Sequence, residues 1–103
     1  MKDYNYLSIW IKRFLLEYLI SVRNLSKNTQ HSYRDTFKLM LPFVAKKANK
    51  SITNLLIDDI NATAVKAFLL DLETSRNCSV STRNQRLSAI HALAKFISLN
   101  SPE

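Results

Sequence analysis

"LSKNTQHSYRDTFKLM", residues 25–40, is the stretch whose reading decides the fold. It opens with small polar residues and passes into a pattern in which Tyr33, Phe37 and Met40 return every four or three positions. That spacing puts side chains on one face of an α-helix. Ser26 stands where an N-cap is expected, because its hydroxyl accepts one of the N–H groups that the first helical turn leaves without a partner. Capping accounts for the serine. It does not account for Lys27, Asn28, Thr29 and His31, which come after it, and which fit either a solvated helix start or a surface that reads a ligand.

The same period extends outward in both directions. Leu7, Ile11, Phe14, Leu15, Tyr18 and Val22 line one face of a first helix. Tyr33, Phe37, Met40, Leu41 and Val44 line a second, Val65, Phe68, Leu69 and Leu72 a third, and Leu87, Ile90, Ala94 and Ile97 a fourth. No alternating pattern competes with these, so the fold class is all-α, a compact four-helix domain. Residues 51–60 are less periodic and read as a connection that tucks Ile52, Leu55, Leu56 and Ile60 against the core.

The chain has no glycine, although helices commonly end on a left-handed residue that is usually glycine and sometimes asparagine. Asn24, Asn49, Asn77 and Asn100 each come directly after one of the four periodic segments, and several are expected as the residue just past a helix end. Ser26, Asn61 and Ser79 precede periodic segments and are the expected N-caps. Pro42 falls inside the second helix, where it removes a hydrogen bond. Its position opposite Tyr33 and Phe37 makes a bend there compatible with packing. No solenoid repeat occurs, but Ser26-Lys27-Asn28-Thr29 and Ser79-Val80-Ser81-Thr82 share the form Ser-x-x-Thr at a helix start.

With 103 residues, 47% hydrophobic and 22% charged, the chain has the composition of one globular domain with one core. Lys12, Arg13 and Glu17 interrupt the apolar N-terminal region, which excludes a membrane span there and argues against a signal peptide. A single cysteine, Cys78, forms no internal disulfide and points to a reducing, cytoplasmic setting. With His31 and His91 far apart, a structural zinc site is not expected. The net charge of +7 is unevenly spread: residues 26–50 carry +5 and 76–95 carry +4, with −3 between them over 51–75. A basic surface favours a polyanion; a basic, merely soluble domain has the same composition.

On a helical wheel His31, Asp35, Lys38 and Lys46 turn away from Tyr33 and Phe37, and Ser81, Asn84, Gln85, Ser88 and Lys95 turn away from Leu87 and Ile90. Asn and Gln pair with adenine edges, Lys and Arg with guanine or phosphate, and Ser and Thr with phosphate oxygens. Arg83 and Arg86 sit nearer the flank of the apolar stripe, where they either reach along the surface or cover it with their stems. Catalysis finds little support. Asp58 and Asp59 are adjacent and diverge, His91 lies at the edge of the core stripe, and no glycine-rich phosphate loop exists. Nothing arranges Ser, His and Asp, or Cys and His, as a nucleophilic site.

The segments "LSKNTQHSYRDTFKLMLPFV" and "DINATAVKAFLLDLETSRNCSVSTRNQRLSAIHALAKF" resemble the N-terminal core-binding domain of tyrosine recombinases, the phage-integrase and Xer-like family. The resemblance runs from about Trp10 to Leu99. Its most specific parts are Leu25-Ser26-x-x-Thr29-x-x-x-Tyr33 and Ser81-Thr82-x-Asn84-x-Arg86-Leu87-Ser88-Ala89-Ile90. It implies an orthogonal, SAM-like four-helix bundle over residues 1–103, with residues 1–6 as a flexible arm and 101–103 as the start of a linker. The implied partner is double-stranded DNA, gripped by the second and fourth helices. Lys27, Thr29, His31, Ser32 and Lys38 would face it from the second helix, and Ser81, Thr82, Asn84, Gln85 and Arg86 from the fourth. Thr29 and Thr82 are the first choices for phosphate, and Gln85 for a base edge.

The resemblance also implies a C-terminal catalytic domain that supplies the tyrosine nucleophile with its Arg and His-x-x-Arg cluster. Tyr4, Tyr6, Tyr18 and Tyr33 occupy the wrong region for that role, so the chain is expected to bind without catalysis or cofactor. Ile9, Leu16 and Ile20, a second apolar face of the first helix, are expected to meet a neighbouring recombinase or the catalytic domain. Two other readings remain at this point, a helical protein-interaction module and a helix-turn-helix regulator. The connection over residues 48–61 is much longer than the turn of about 3–4 residues that the second requires.

Overall fold

The computed structural model describes residues 6–22 and 24–101, with the backbone alone for 20–22. The expectations for residues 1–5, including Tyr4, for the side chains of Ile20 and Val22, and for residues 102–103 lie outside what is described. Helix α1 spans Leu7–Arg13 and continues without a break into a π-helical segment, Phe14–Val22; α2 spans Lys27–Ala48, α3 Ala62–Thr74 and α4 Val80–Asn100. Two short 3₁₀ turns, Ile52–Asn54 and Ile57–Asp59, join α2 to α3. The expected all-α, four-helix fold is observed.

The helix ends obey the local chemistry. Ser26, Asn61 and Ser79 each accept the backbone N–H three residues on, from Thr29, Ala64 and Thr82. Asn24, Asn49 and Asn77 take positive φ of 51°, 56° and 51°; Asn49 directly follows α2, whereas Asn77 stands beyond Ser75, the C-cap of α3, and Arg76. At Asn49 the cap is complete, with the Lys50 N–H bonded to the Ala45 carbonyl at 3.0 Å and the Asn49 N–H to the Lys46 carbonyl at 3.3 Å. Those two bonds satisfy carbonyls that the last turn leaves open. Asn100 departs from the expectation: it is the last residue of α4, and its side-chain amide donates to the Phe96 carbonyl at 2.9 Å. Helix α1 has no side-chain cap; instead the Leu7 N–H donates to the Leu55 carbonyl at 2.9 Å, and Tyr6 pairs with Leu56 in an isolated antiparallel bridge.

The core is built around Phe14. Its ring is fully shielded and stacks on Tyr18 at 4.8 Å between centroids and on Tyr33 at 6.0 Å, while Phe37 and Phe96 meet it edge-on at 5.7 and 5.6 Å. Each such aromatic pair contributes about 1 kcal/mol beyond its buried area. One residue thereby ties the first helix to α2 and α4.

Two stripes differ from the sequence expectation. In the first helix Trp10 and Leu19 are buried, while Leu15 and Tyr18 are only half-buried. The wider π turn places residues four and five apart in line, so Leu19 joins Phe14 in the core. In α4 the buried residues are Ala89, Ile90, Leu93, Phe96 and Ile97, whereas Leu87 is half-buried and Ala94 exposed. Phe96 joins the aromatic cluster and draws the buried stripe round by about one residue. In the connection Leu55 is fully buried and Leu56 and Ile60 half-buried, but Ile52 is exposed and Ile57 packs on the core.

Candidate nucleic-acid interface

The two Ser-x-x-Thr starts form the same structure. Ser26 Oγ accepts the Thr29 N–H at 3.2 Å and donates to Thr29 Oγ1 at 3.0 Å; Ser79 Oγ accepts the Thr82 N–H at 3.1 Å and donates to Thr82 Oγ1 at 3.1 Å. Each serine proton is engaged with the threonine oxygen, so the proton of each threonine hydroxyl is directed elsewhere and remains a donor. A donor at a helix N-terminus, among N–H groups at the positive end of the helix dipole, suits an anionic oxygen.

The amino-terminal halves of α2 and α4 lie side by side and enclose a shallow groove of about 380 Å³, lined by Asn28, Thr29, Ser32 and Tyr33 from α2 and by Gln85 and Ser88 from α4. The structure thus brings together Thr29, Ser32 and Gln85 of the expected site residues. Asn28 and Ser88 complete the walls. Ser88 was legible as a polar-face residue, whereas Asn28 carries no signal beyond its place in the cap sequence. Tyr33 has two roles, since it stacks on Phe14 and also floors the groove.

The remaining candidates stand elsewhere. Lys27, His31, Ser81 and Asn84 are exposed and do not line the groove, and Thr82 is half-buried at the start of α4. Asn84 accepts a hydrogen bond from Arg83 Nη2 at 3.0 Å, and Arg83 Nη1 lies 3.9 Å from Glu73 of α3. Lys38 lines a separate depression with Leu39, Pro42, Phe43, Lys46, Asp71 and Arg76, where α2 passes the end of α3. Arg86 is half-buried between α2 and α4, with Nη1 donating to Thr36 Oγ1 at 3.4 Å. The rotation of the α4 stripe accounts for this, because Arg86 stands one turn before Ala89 and Ile90 on the buried side.

Among the described residues no three His, Cys, Asp or Glu side chains converge as metal ligands, and no helix is long and apolar enough to cross a membrane. The groove offers hydroxyls, amides and helix-terminal N–H groups.

Residues 11–99 match the family model described as "Phage integrase, N-terminal SAM-like domain". Two proteins of Sinorhizobium fredii (strain NBRC 101917 / NGR234) are similar to the chain. One, named "Putative integrase/recombinase y4rC", is 38% identical over 93 residues, covering 90% of this chain and 28% of that protein. The other, named "Putative integrase/recombinase y4rD", is 28% identical over 102 residues, covering 99% of this chain and 36% of that protein. The chain thus spans about a third of the length of these relatives. No solved structure matches it at a comparable level.

Proposed function

The chain belongs to the phage-integrase N-terminal SAM-like domain family, and from that premise we propose that it is a DNA-binding domain that grips a recombination site through the groove between α2 and α4. The observation that carries this reading is the groove itself: Thr29 from one helix start and Gln85 from the other line one cleft, between the two basic segments of the chain. Thr29 and Thr82 donate to phosphate, and Gln85 reads a base edge, adenine being the partner that its amide matches in two hydrogen bonds. Lys27, His31, Ser32, Ser81 and Asn84 flank the duplex, and Lys38 reaches it from beyond the groove. Strand exchange belongs to a tyrosine-bearing catalytic domain of the parent protein, which acts on DNA in the cytoplasm. Exposed Ile9 and Leu16 on the first helix meet that domain or a neighbouring recombinase.

Selection from a pool of randomised duplexes, with binding then measured on the preferred and a scrambled sequence, tests this. Gln85→Ala is expected to reduce the preference by about 5-fold to 150-fold, the range of a bidentate base contact, with little effect on the scrambled duplex. Thr29→Ala is expected to weaken both equally. Equal losses on both duplexes for Gln85→Ala would remove it as a base reader. Failure of the wild-type chain to retain any duplex at low salt would favour a protein-interaction module instead.

A further inference from the structure

Thr36 is completely shielded from solvent and is the only buried polar side chain among the described residues. Its hydroxyl donates to the Ser32 carbonyl at 2.8 Å and accepts from Arg86 Nη1 at 3.4 Å. One proton and two lone pairs allow both bonds at once. Arg86 Nε is shielded from solvent and has no hydrogen-bond partner. Withdrawing a cationic N–H from water without a partner is unfavourable, and an apolar side chain of similar volume packs in such a place without that penalty. Burial of that N–H, which the Nε of Arg83 shares, does not by itself call for an arginine here.

Position does. Ser32 and Gln85 stand on opposite walls of the groove; Thr36 lies one turn after Ser32, and Arg86 is the residue next to Gln85. A guanidinium presents its N–H groups in a rigid fork, and the Nη1 arm of that fork, 3.4 Å from Thr36 Oγ1, links one wall to the other. We propose that Arg86 is a positioning residue for the recognition groove: through Thr36 and Ser32 it holds α4 at the separation from α2 at which Gln85 and Thr29 address the same duplex. It makes no phosphate contact of its own, in place of the direct DNA contact that the family resemblance implies for it. The proposal rests on the DNA-binding reading above.

The test uses Arg86→Met, Arg86→Lys and Thr36→Val, with three readouts: amide chemical shifts of Ser32 and Gln85 without DNA, preference within a randomised duplex pool, and the salt dependence of binding. Arg86→Met is expected to stay folded, to shift the Ser32 and Gln85 amides, and to lower sequence preference by about tenfold with an unchanged salt slope. Thr36→Val reproduces the loss, the double variant adds nothing to it, and Arg86→Lys, which keeps the charge but not the fork, does not restore it. A salt slope smaller by about one, with uniform weakening on all duplexes, would mark a phosphate contact and overturn the proposal. So would full rescue by Arg86→Lys, or unmoved Ser32 and Gln85 amides. If Arg86→Met does not fold, the near-isosteric Thr36→Val decides by the same readouts. A wild-type chain that prefers no sequence would overturn the DNA-reading groove and the role of Arg86 in it; preference kept by Arg86→Met overturns only the latter.

Discussion

Asn49 ends α2 at φ 56° and ψ 46°, a region where a Cβ crowds the next carbonyl and which most residues enter at a cost of about 1–2 kcal/mol. Asparagine bears that conformation better than alanine because its short amide bonds locally. Asn49→Ala is therefore expected to lower the unfolding free energy by about 1 kcal/mol, read from urea denaturation, whereas Asn49→Gly should leave it nearly unchanged. Equal losses from both would show that the amide, and not the backbone, matters there. Asn24, Asn49 and Asn77 were legible in the sequence because positive φ is a property of one residue and its neighbours, and the absence of glycine left few alternatives. Asn100 had the same placement after a periodic segment, yet α4 absorbs it. The difference lies in the backbone path beyond each helix rather than in the residue: Lys50 turns back to the Ala45 carbonyl, whereas Ser101 leaves α4 extended. Arg86 is the same lesson at the site: its flank position could be read from the wheel, but Thr36, fifty residues away in sequence, could not.

The connection between α2 and α3 acts as an element through Asp59. Burial alone would raise its pKa, but the Leu56 N–H at 2.8 Å and the Lys50 ammonium at 2.9 Å outweigh that and hold the carboxyl below its ordinary range. A carboxylate with a depressed folded-state pKa contributes stability that is fully present above the unfolded value of about 4. The contribution is lost as pH falls through the lower folded-state value. Asp59→Asn is expected to lower stability at neutral pH by about 1 kcal/mol and to flatten the pH dependence below about pH 4, as measured by thermal melts across that range. An unchanged acid limb would show that another carboxylate governs it. The four helices and their serine and asparagine caps were legible because they arise from periodicity and local hydrogen bonding. The π segment and the rotated α4 stripe were not. Phe14 takes Tyr18 beside it and Phe96 edge-on, and a single-helix wheel contains no term for such a partner's shape.

Among the described residues the acidic 51–75 segment meets the basic ones, Asp59 with Lys50, Glu73 with Arg83, and Asp71 beside Lys38, Lys46 and Arg76. The basic stretches over 26–50 and 76–95 supply α2 and α4, which pack together; the groove lining itself is uncharged, and exposed Lys38, Lys46 and Arg76 surround a second depression together with Asp71. If the duplex lies along this side, neutralising all three is expected to reduce the slope of log K against log salt by up to about 3, with sequence preference intact. An unchanged slope would place the duplex elsewhere. The sequence by itself determined the all-α class, the four helices, their caps, the basic bias and the family resemblance, because each depends on residues close together in the chain. Only the tertiary structure decided which candidates share a cleft. It set Thr29 and Ser32 opposite Gln85, sent Lys38 to a second depression and turned Arg86 toward Thr36, because the rotation of α4 about its axis is fixed by aromatic packing at its far end.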